Sequence, residues 1–182
     1  DFCSAIGNKF LTKVTLPESL RYIGDYAFFQ TRIGTITFPN TLTKIGRESF
    51  RNVNMLKNVT FGTGLNNIGS LAFSFCNNLT SVTIPGNVKT LYAYVFRGCA
   101  ALKTVVIEEG LDYISSYVFA DCSALESITL PASITKINSG LTYNSSAVIN
   151  YYEGTYVAEY LASAAAKIKN ETLNSLGEYV PA

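Results

Sequence analysis

Apolar and polar positions along the chain repeat with a period of 22–23 residues. A leucine or isoleucine opens each unit, at Leu11, Ile33, Leu56, Leu79, Leu102 and Leu125. The fourth place is Val14, Ile36, Val59, Val82, Val105 and Ile128, and the sixth is Leu16, Phe38, Phe61, Ile84, Ile107 and Leu130. Polar or exposed-type residues stand between them, as in Val82-Thr83-Ile84. This period-two alternation predicts a short half-buried strand in every unit. Proline follows at Pro17, Pro39, Pro85 and Pro131, with Gly62 and Glu108 in the other two units. Proline has no N–H for a ladder, so the strand is expected to end at the same corner each time.

A second extended stretch, such as Val88–Leu91, carries the thirteenth place: Ile23, Ile45, Ile68, Leu91, Ile114 and Ile137. Gly24, Gly46 and Gly69 then predict a corner with unusual backbone angles. Phenylalanine occupies the eighteenth place at Phe28, Phe50, Phe73, Phe96 and Phe119 and is expected to point inward from a short helical or 3-10 turn. Thr142 takes that place in the sixth unit, whose helical half is expected to have decayed.

A fixed period of this length is the mark of a stacked-coil protein. One coil has an apolar interior and nothing above or below it. Stacking at the strand spacing of about 4.8 Å supplies the missing neighbours. The expected fold is a solenoid with short parallel strands on one wall and short helical or 3-10 turns on the other. Residues 11–143 form six repeats, residues 1–10 a partial preceding coil or N-terminal cap, residues 144–168 a C-terminal cap, and residues 169–182 a tail or linker. In the cap, Ala147–Tyr152 reads as a last strand. Thr155 is expected to cap a helix that presents Val157, Tyr160, Leu161, Ala164 and Ile168 on one face.

The unit Leu11-Thr-Lys-Val-Thr-Leu-Pro-Glu-Ser-Leu-Arg-Tyr-Ile-Gly-Asp-Tyr-Ala-Phe28, followed in later units by Cys76, Cys99 and Cys122, resembles the BspA-like leucine-rich repeat. Proline or glycine after the strand, where ordinary leucine-rich repeats carry asparagine, points to that class. So does Tyr152-Glu-Gly-Thr-Tyr156, which is similar to the family's closing segment. The resemblance implies a leucine-rich repeat solenoid, an α/β-type right-handed superhelix, in a bacterial or protist cell-surface or secreted protein, adhesin-like, that binds an extracellular protein or glycoconjugate. A structural spacer displaying a neighbouring domain is the alternative reading.

Composition narrows the chemistry. The chain has 14 basic and 13 acidic residues, and no stripe or block of one sign suits a nucleic-acid backbone or a membrane surface. No run of 18 apolar residues spans a membrane. The opening lacks a methionine and an apolar leader, so the chain is expected to be either a processed form, as after removal of an export signal, or an excised piece. There is no histidine, which removes the usual general base and the commonest zinc ligand. Glu108 and Glu109 are adjacent in a corner rather than paired across a site. No catalytic residue, metal site or cofactor is expected, and the protein is expected to be monomeric. Cys76, Cys99 and Cys122 share a column with Thr31 and Val53, so they are expected to be small buried core residues rather than a redox ladder. Cys3 stands outside that column. Asn58, Asn78, Asn144 and Asn170 head Asn-x-Ser/Thr sequons.

Two surfaces are candidates for ligand binding. The strand wall presents Thr37, Thr60 and Thr83 with Asn58 and Ser81 beside them, although threonine also simply suits an exposed strand. The second surface is aromatic: Tyr94 and Tyr117 share the sixteenth place with Tyr26, and Tyr92 and Tyr113 are expected to lie close by. Tyrosines of this kind either form a contact patch or merely cover the rim of the coil.

Overall fold

The computed structural model describes residues 7–173, with side chains described through residue 164. Six coils stack in register. Each contributes a two-residue strand after the corner, and coils 2 to 6, together with the closing segment beyond them, contribute a short strand before it. The first set is β2 (Thr35–Thr37), β4 (Asn58–Thr60), β6 (Ser81–Ile84), β8 (Thr104–Ile107), β10 (Ser127–Thr129) and β12 (Val148–Asn150). The second is β1 (Tyr22–Ile23), β3 (Lys44–Ile45), β5 (Asn67–Ile68), β7 (Thr90–Leu91), β9 (Tyr113–Ile114) and β11 (Lys136–Ile137). All described pairings are parallel, and equal places face each other, as in Val82↔Val105 and Ile45↔Ile68.

The two-residue strands form the unbroken sheet, in order β1-β3-β5-β7-β9-β11, whereas the longer ones divide into β2-β4 and β12-β10-β8-β6. Val14–Leu16, expected as the first strand of the wall, is not a strand. The ladder is thus interrupted on both sides of coils 2 and 3. These are the coils whose sixth place holds phenylalanine. Phe38 and Phe61 stack at 5.6 Å between centroids, wider than the strand spacing of about 4.8 Å.

The opposite wall is a run of tight turns, without a complete helix. Its N–H groups alternate in their use. In the first coil Ala27, Phe29 and Thr31 donate to the carbonyl three residues back, while Tyr26, Phe28 and Gln30 donate to Arg47, Ser49 and Arg51 of the next coil. Along this wall two residues per coil have positive φ. One is the sixteenth place (Tyr26, Glu48, Leu71, Tyr94, Tyr117, Gly140) and the other the twentieth (Gln30, Asn52, Phe75, Gly98, Asp121, Asn144). Because this backbone recurs in every coil, it belongs to the fold and not to any one site. The sixth coil keeps it despite Thr142. Phe119 N–H donates to the carbonyl of Leu141, and the buried Leu141 side chain fills the layer.

The corner glycines work differently from expectation. Positive φ is absent at Gly46 and Gly69. A Cβ on Gly46 would come within 2.6 Å of the backbone nitrogen of Asp25, and one on Gly69 within 2.6 Å of that of Arg47. Close approach of successive coils, not backbone handedness, demands glycine there.

Phe28, Phe50, Phe73, Phe96 and Phe119 form one buried spine, with successive centroids 5.0, 5.1, 5.5 and 5.6 Å apart. Behind it, the thiols of Cys76, Cys99 and Cys122 each donate to a carbonyl of the preceding coil (Phe50, Phe73 and Phe96) at 3.2 Å. They are free and buried. Burial pushes the Cys76 and Cys122 thiols up to about 12, and Cys99 well above its ordinary value. Such thiols are protonated and inert at physiological pH. Cys3 lies outside the described residues.

At the C-terminal end β12 extends the strand wall by pairing with β10. Helix α1 (Tyr156–Leu173) seats a fully buried Val157 together with Tyr156, Tyr160 and Leu161 against the core. Ile137 N–H donates to the Tyr156 hydroxyl, and the Tyr160 hydroxyl donates to the Asn138 carbonyl. Thr155 accepts the helix's first bond, from Glu159 N–H, through its carbonyl, but its hydroxyl donates back to Tyr152 instead of capping. The side chain of Ile168 and residues 174–182 of the expected tail lie outside the described residues. No helix among the described residues is long and apolar enough to cross a membrane.

One buried carboxylate stands in the turn wall. Glu48 accepts hydrogen bonds from Tyr26 Oη at 3.0 Å and Arg51 Nη1 at 2.7 Å, and pairs with Arg47 Nη2 at 2.9 Å. Burial works to raise its pKa, but the Arg51 and Tyr26 hydrogen bonds and the two arginine charges outweigh it and hold the group below its ordinary value. A depressed carboxylate stabilises the fold fully above the unfolded-state pKa, and that contribution is lost as pH falls through the folded value. Glu48→Gln is therefore expected to flatten the acid limb of a stability-versus-pH curve below the ordinary carboxylate range, by a slope of at most about 1.4 kcal/mol per pH unit, one proton's worth. Urea titrations across that range would check it; an unchanged acid limb would contradict it.

Candidate functional site

Along the turn wall the sixteenth, nineteenth and twentieth places of neighbouring coils lie side by side. In coils 4 to 6 they enclose a cleft of about 420 Å³ lined by Tyr94, Arg97, Tyr117, Ala120, Asp121, Tyr143 and Asn144. Register builds it. The nineteenth place runs Arg97, Ala120, Tyr143, so a nearly buried alanine forms a floor between two long side chains. Tyr94 and Tyr117 stack with centroids 5.6 Å apart and planes 6° from parallel. Tyr143 meets Tyr117 edge-to-face at 83° and 5.8 Å. The Tyr117 ring also packs on Gly140, where an added Cβ would lie 2.5 Å from it.

A polar triad faces these rings. Arg97 Nε donates to Asp121 Oδ2 at 3.0 Å, and Asn144 Nδ2 donates to Asp121 Oδ1 at 2.8 Å. The Arg97 guanidinium carbon lies 5.5 Å from the Tyr94 centroid, a cation–π distance. The hydrogen bond from Asn144, followed by that from Arg97, holds Asp121 below the usual carboxylate range. It is an ionised, acceptor-only group at neutral pH.

Of the four tyrosines singled out from the sequence, Tyr94 and Tyr117 therefore meet. Tyr113 lies on β9, with Lys136 Nζ 5.4 Å from its ring centroid and its hydroxyl accepting from Asn138 Nδ2 at 2.7 Å. Tyr92 borders another cleft, of about 310 Å³, with Asp25, Lys44, Arg47 and Asn67. The repeat pattern does not mark Arg97, Asp121 or Tyr143, and it marks Asn144 only as a sequon. Their signal was the place number: they stand three and four places beyond the tyrosine column, and the turn folds those columns together.

The strand-wall candidates are exposed and in register, Thr37 opposite Thr60 and Ser81 within the next sheet. Thr37 and Thr60 line a cleft of about 450 Å³ at the first break in the ladder, and Thr60, Ser81 and Thr83 one of about 320 Å³ at the second. Asn58 is exposed on β4 and lines neither. The first opening also carries Lys13 and Glu18 and the second Glu108, and no ion pair forms within either among the described residues.

The corner carboxylates are committed to structure. Glu109 accepts from Ala132 N–H and Ser133 N–H, Glu108 from Gly86 N–H and Asp25 from Arg47 N–H, each tying one coil to the next. No group of three or more metal-ligating side chains occurs among the described residues.

Residues 22–149 match the BspA type leucine-rich repeat region in six copies. No curated protein matches the chain. Among solved structures it is similar to a leucine-rich repeat protein of T. pallidum, at 22% identity and a TM-score of 0.60 over 89% of this chain and 80% of that one. It is also similar to a leucine-rich cell surface protein of Faecalibacterium prausnitzii, at 23% identity and a TM-score of 0.53 over 80% of this chain and 55% of that one. A Bacteroides ovatus leucine-rich repeat protein gives 20% identity and a TM-score of 0.52 over 81% of this chain. The chain spans about half, 49%, of that protein's length. At these identities the likeness concerns the fold.

Proposed function

Since the chain belongs to the BspA-type leucine-rich repeat family, we propose that it is a non-catalytic binding module, secreted or displayed at the cell surface, that recognises a protein or glycoconjugate through its turn wall. The observation that carries this reading is the convergence of three tyrosines with Arg97, Asp121 and Asn144 around one concave site. Tyrosine and arginine supply large contact area together with polar tips, which is why they dominate the centres of binding interfaces. The stacked coils hold these side chains in place before a partner arrives, and that reduces the ordering cost of binding. A surface location is in keeping with the cell surface protein of F. prausnitzii that shares the fold. The absence of histidine from the sequence and the structural use of Glu108, Glu109 and Asp25 favour binding over catalysis.

The test is a double variant. Tyr94 and Tyr117 have φ of 63° and 59°, so asparagine, which tolerates that backbone, is the replacement of choice. Tyr94→Asn with Tyr117→Asn is expected to weaken binding to a responsive member of a panel of purified extracellular-matrix proteins and glycans by about 2 kcal/mol or more. The lost ring stack should cost no more than about 1.5 kcal/mol of stability. Surface plasmon resonance and thermal melting would measure the two effects. Wild-type affinity in the double variant would remove the turn wall from consideration.

A further inference from the structure

We propose that the cleft between coils 4 and 6 is a carbohydrate site that takes a pyranose unit of a neutral glycan. This rests on the reading of the turn wall as a binding surface and names its ligand class. A pyranose has a C–H face suited to an aromatic plane, and a rim of hydroxyls that both donate and accept. The cleft offers a counterpart to each. Tyr143 is 55% exposed and stands nearly perpendicular to the Tyr117 ring, so an aromatic face borders the space above Ala120.

The rim groups keep capacity to spare. Arg97 uses Nε alone in its pair with Asp121, leaving its two terminal nitrogens for a ligand. Each Asp121 oxygen accepts one hydrogen bond and can accept another, and the Asn144 carbonyl oxygen accepts none from the described residues. No described residue hydrogen-bonds the Tyr94 or Tyr117 hydroxyl, and each can donate or accept.

Charge decides against ionic ligands. The guanidinium and carboxylate neutralise each other within the site. An anion reaching Arg97 meets Asp121, and a cation reaching Asp121 meets Arg97. A neutral polyhydroxyl ligand uses both without breaking the pair.

Backbone usage decides against an extended peptide. The N–H groups of Tyr94, Gly98, Tyr117 and Asp121 all donate to carbonyls of the next coil (Ser116, Ala120, Ser139 and Tyr143). The cleft therefore lacks the free main-chain edge that strand addition requires, and recognition must run through side chains.

The experiment is binding of the labelled full chain to a printed array of neutral hexose oligosaccharides, sialylated glycans and sulfated glycans. Solution titration with the best neutral oligosaccharide follows tyrosine fluorescence, which no tryptophan obscures. Retention of neutral glycans is expected. Tyr143→Ala and Asp121→Asn should each weaken it by about tenfold or more. Their melting transitions should stay close to wild type, and Thr60→Val on the strand wall should leave binding intact. Retention of charged glycans alone, no retention of any neutral glycan, or wild-type binding by both cleft variants would each overturn the assignment. If the array is silent while a matrix protein is still bound through Tyr94 and Tyr117, the sugar assignment fails and the binding-module reading survives; loss of both removes both.

Discussion

Phe73→Ala is expected to cost about 3–5 kcal/mol, the range for truncating a fully buried aromatic residue, and to be the most damaging substitution in the phenylalanine spine. The reason is local. Phe73 stacks on Phe50 at 5.1 Å and on Phe96 at 5.5 Å, and takes the edges of Phe38 and Phe61 at 6.4 and 5.6 Å. Aromatic pairs contribute about 0.5–1.5 kcal/mol each beyond the area they bury. Phe96 keeps the two stacked neighbours but has no such edge contacts. Urea unfolding of Phe73→Ala beside Phe96→Ala would measure the difference. Equal midpoints would mean that the Phe38 and Phe61 edges contribute nothing. Folded domains are stable by only about 5–15 kcal/mol, and in a stack each coil leans on its neighbours. The loss at Phe73 is thus large enough to unfold the centre of the solenoid.

Gly86→Ala should cost about 3 kcal/mol, at the upper end of what overpacking does. A Cβ at Gly86 would lie 2.0 Å from the carbonyl oxygen of Glu109 in the next coil. The obstacle is backbone, so no rotamer change relieves it. The coils would have to separate at the corner where Gly86 N–H also donates to Glu108 Oε2. Gly34→Ala is the matched control. Its nearest neighbour to an added Cβ is 3.9 Å away and its φ is not positive, so alanine there should be neutral or stabilising by up to about 1 kcal/mol. Thermal melts of the two variants would separate them. A Gly86→Ala protein as stable as Gly34→Ala would show that the corner spacing is slack.

Much of this architecture was legible because the solenoid uses one rule many times. The columns at the first, fourth, sixth, thirteenth and eighteenth places are apolar for one reason, burial against the equivalent residue of the next coil. Ile23, Ile45, Ile68, Leu91 and Ile114 are in the core as their column requires. Phe28 to Phe119 form the spine. The cysteine column reads correctly as core because Thr31 and Val53 share it. Local residues report poorly on the segments packed against them. Gly46 and Gly69 look like sites of unusual φ, yet they are glycine because another chain segment passes within contact distance. Thr142 looks like the loss of a turn, yet Leu141 beside it fills the layer and the backbone continues. Val14–Leu16 has a strand pattern and no strand, since pattern alone does not say whether the neighbouring coil lies close enough to pair.

The sequence by itself determined the repeat, the number of coils and the inward columns, because each follows from a periodicity that survives substitution at individual places; the motif within the unit carried the resemblance to the family. Only the tertiary structure decided which surface is concave and chemically mixed. Tyr94, Arg97, Tyr117, Asp121, Tyr143 and Asn144 come from three coils and from the sixteenth, nineteenth and twentieth places, and the place numbers do not say that these columns converge. Their meeting depends on how tightly the turn wall folds, on a small Ala120 between two long side chains, and on an ion pair formed between coils. Those are distances between segments, which a linear order of residues does not contain.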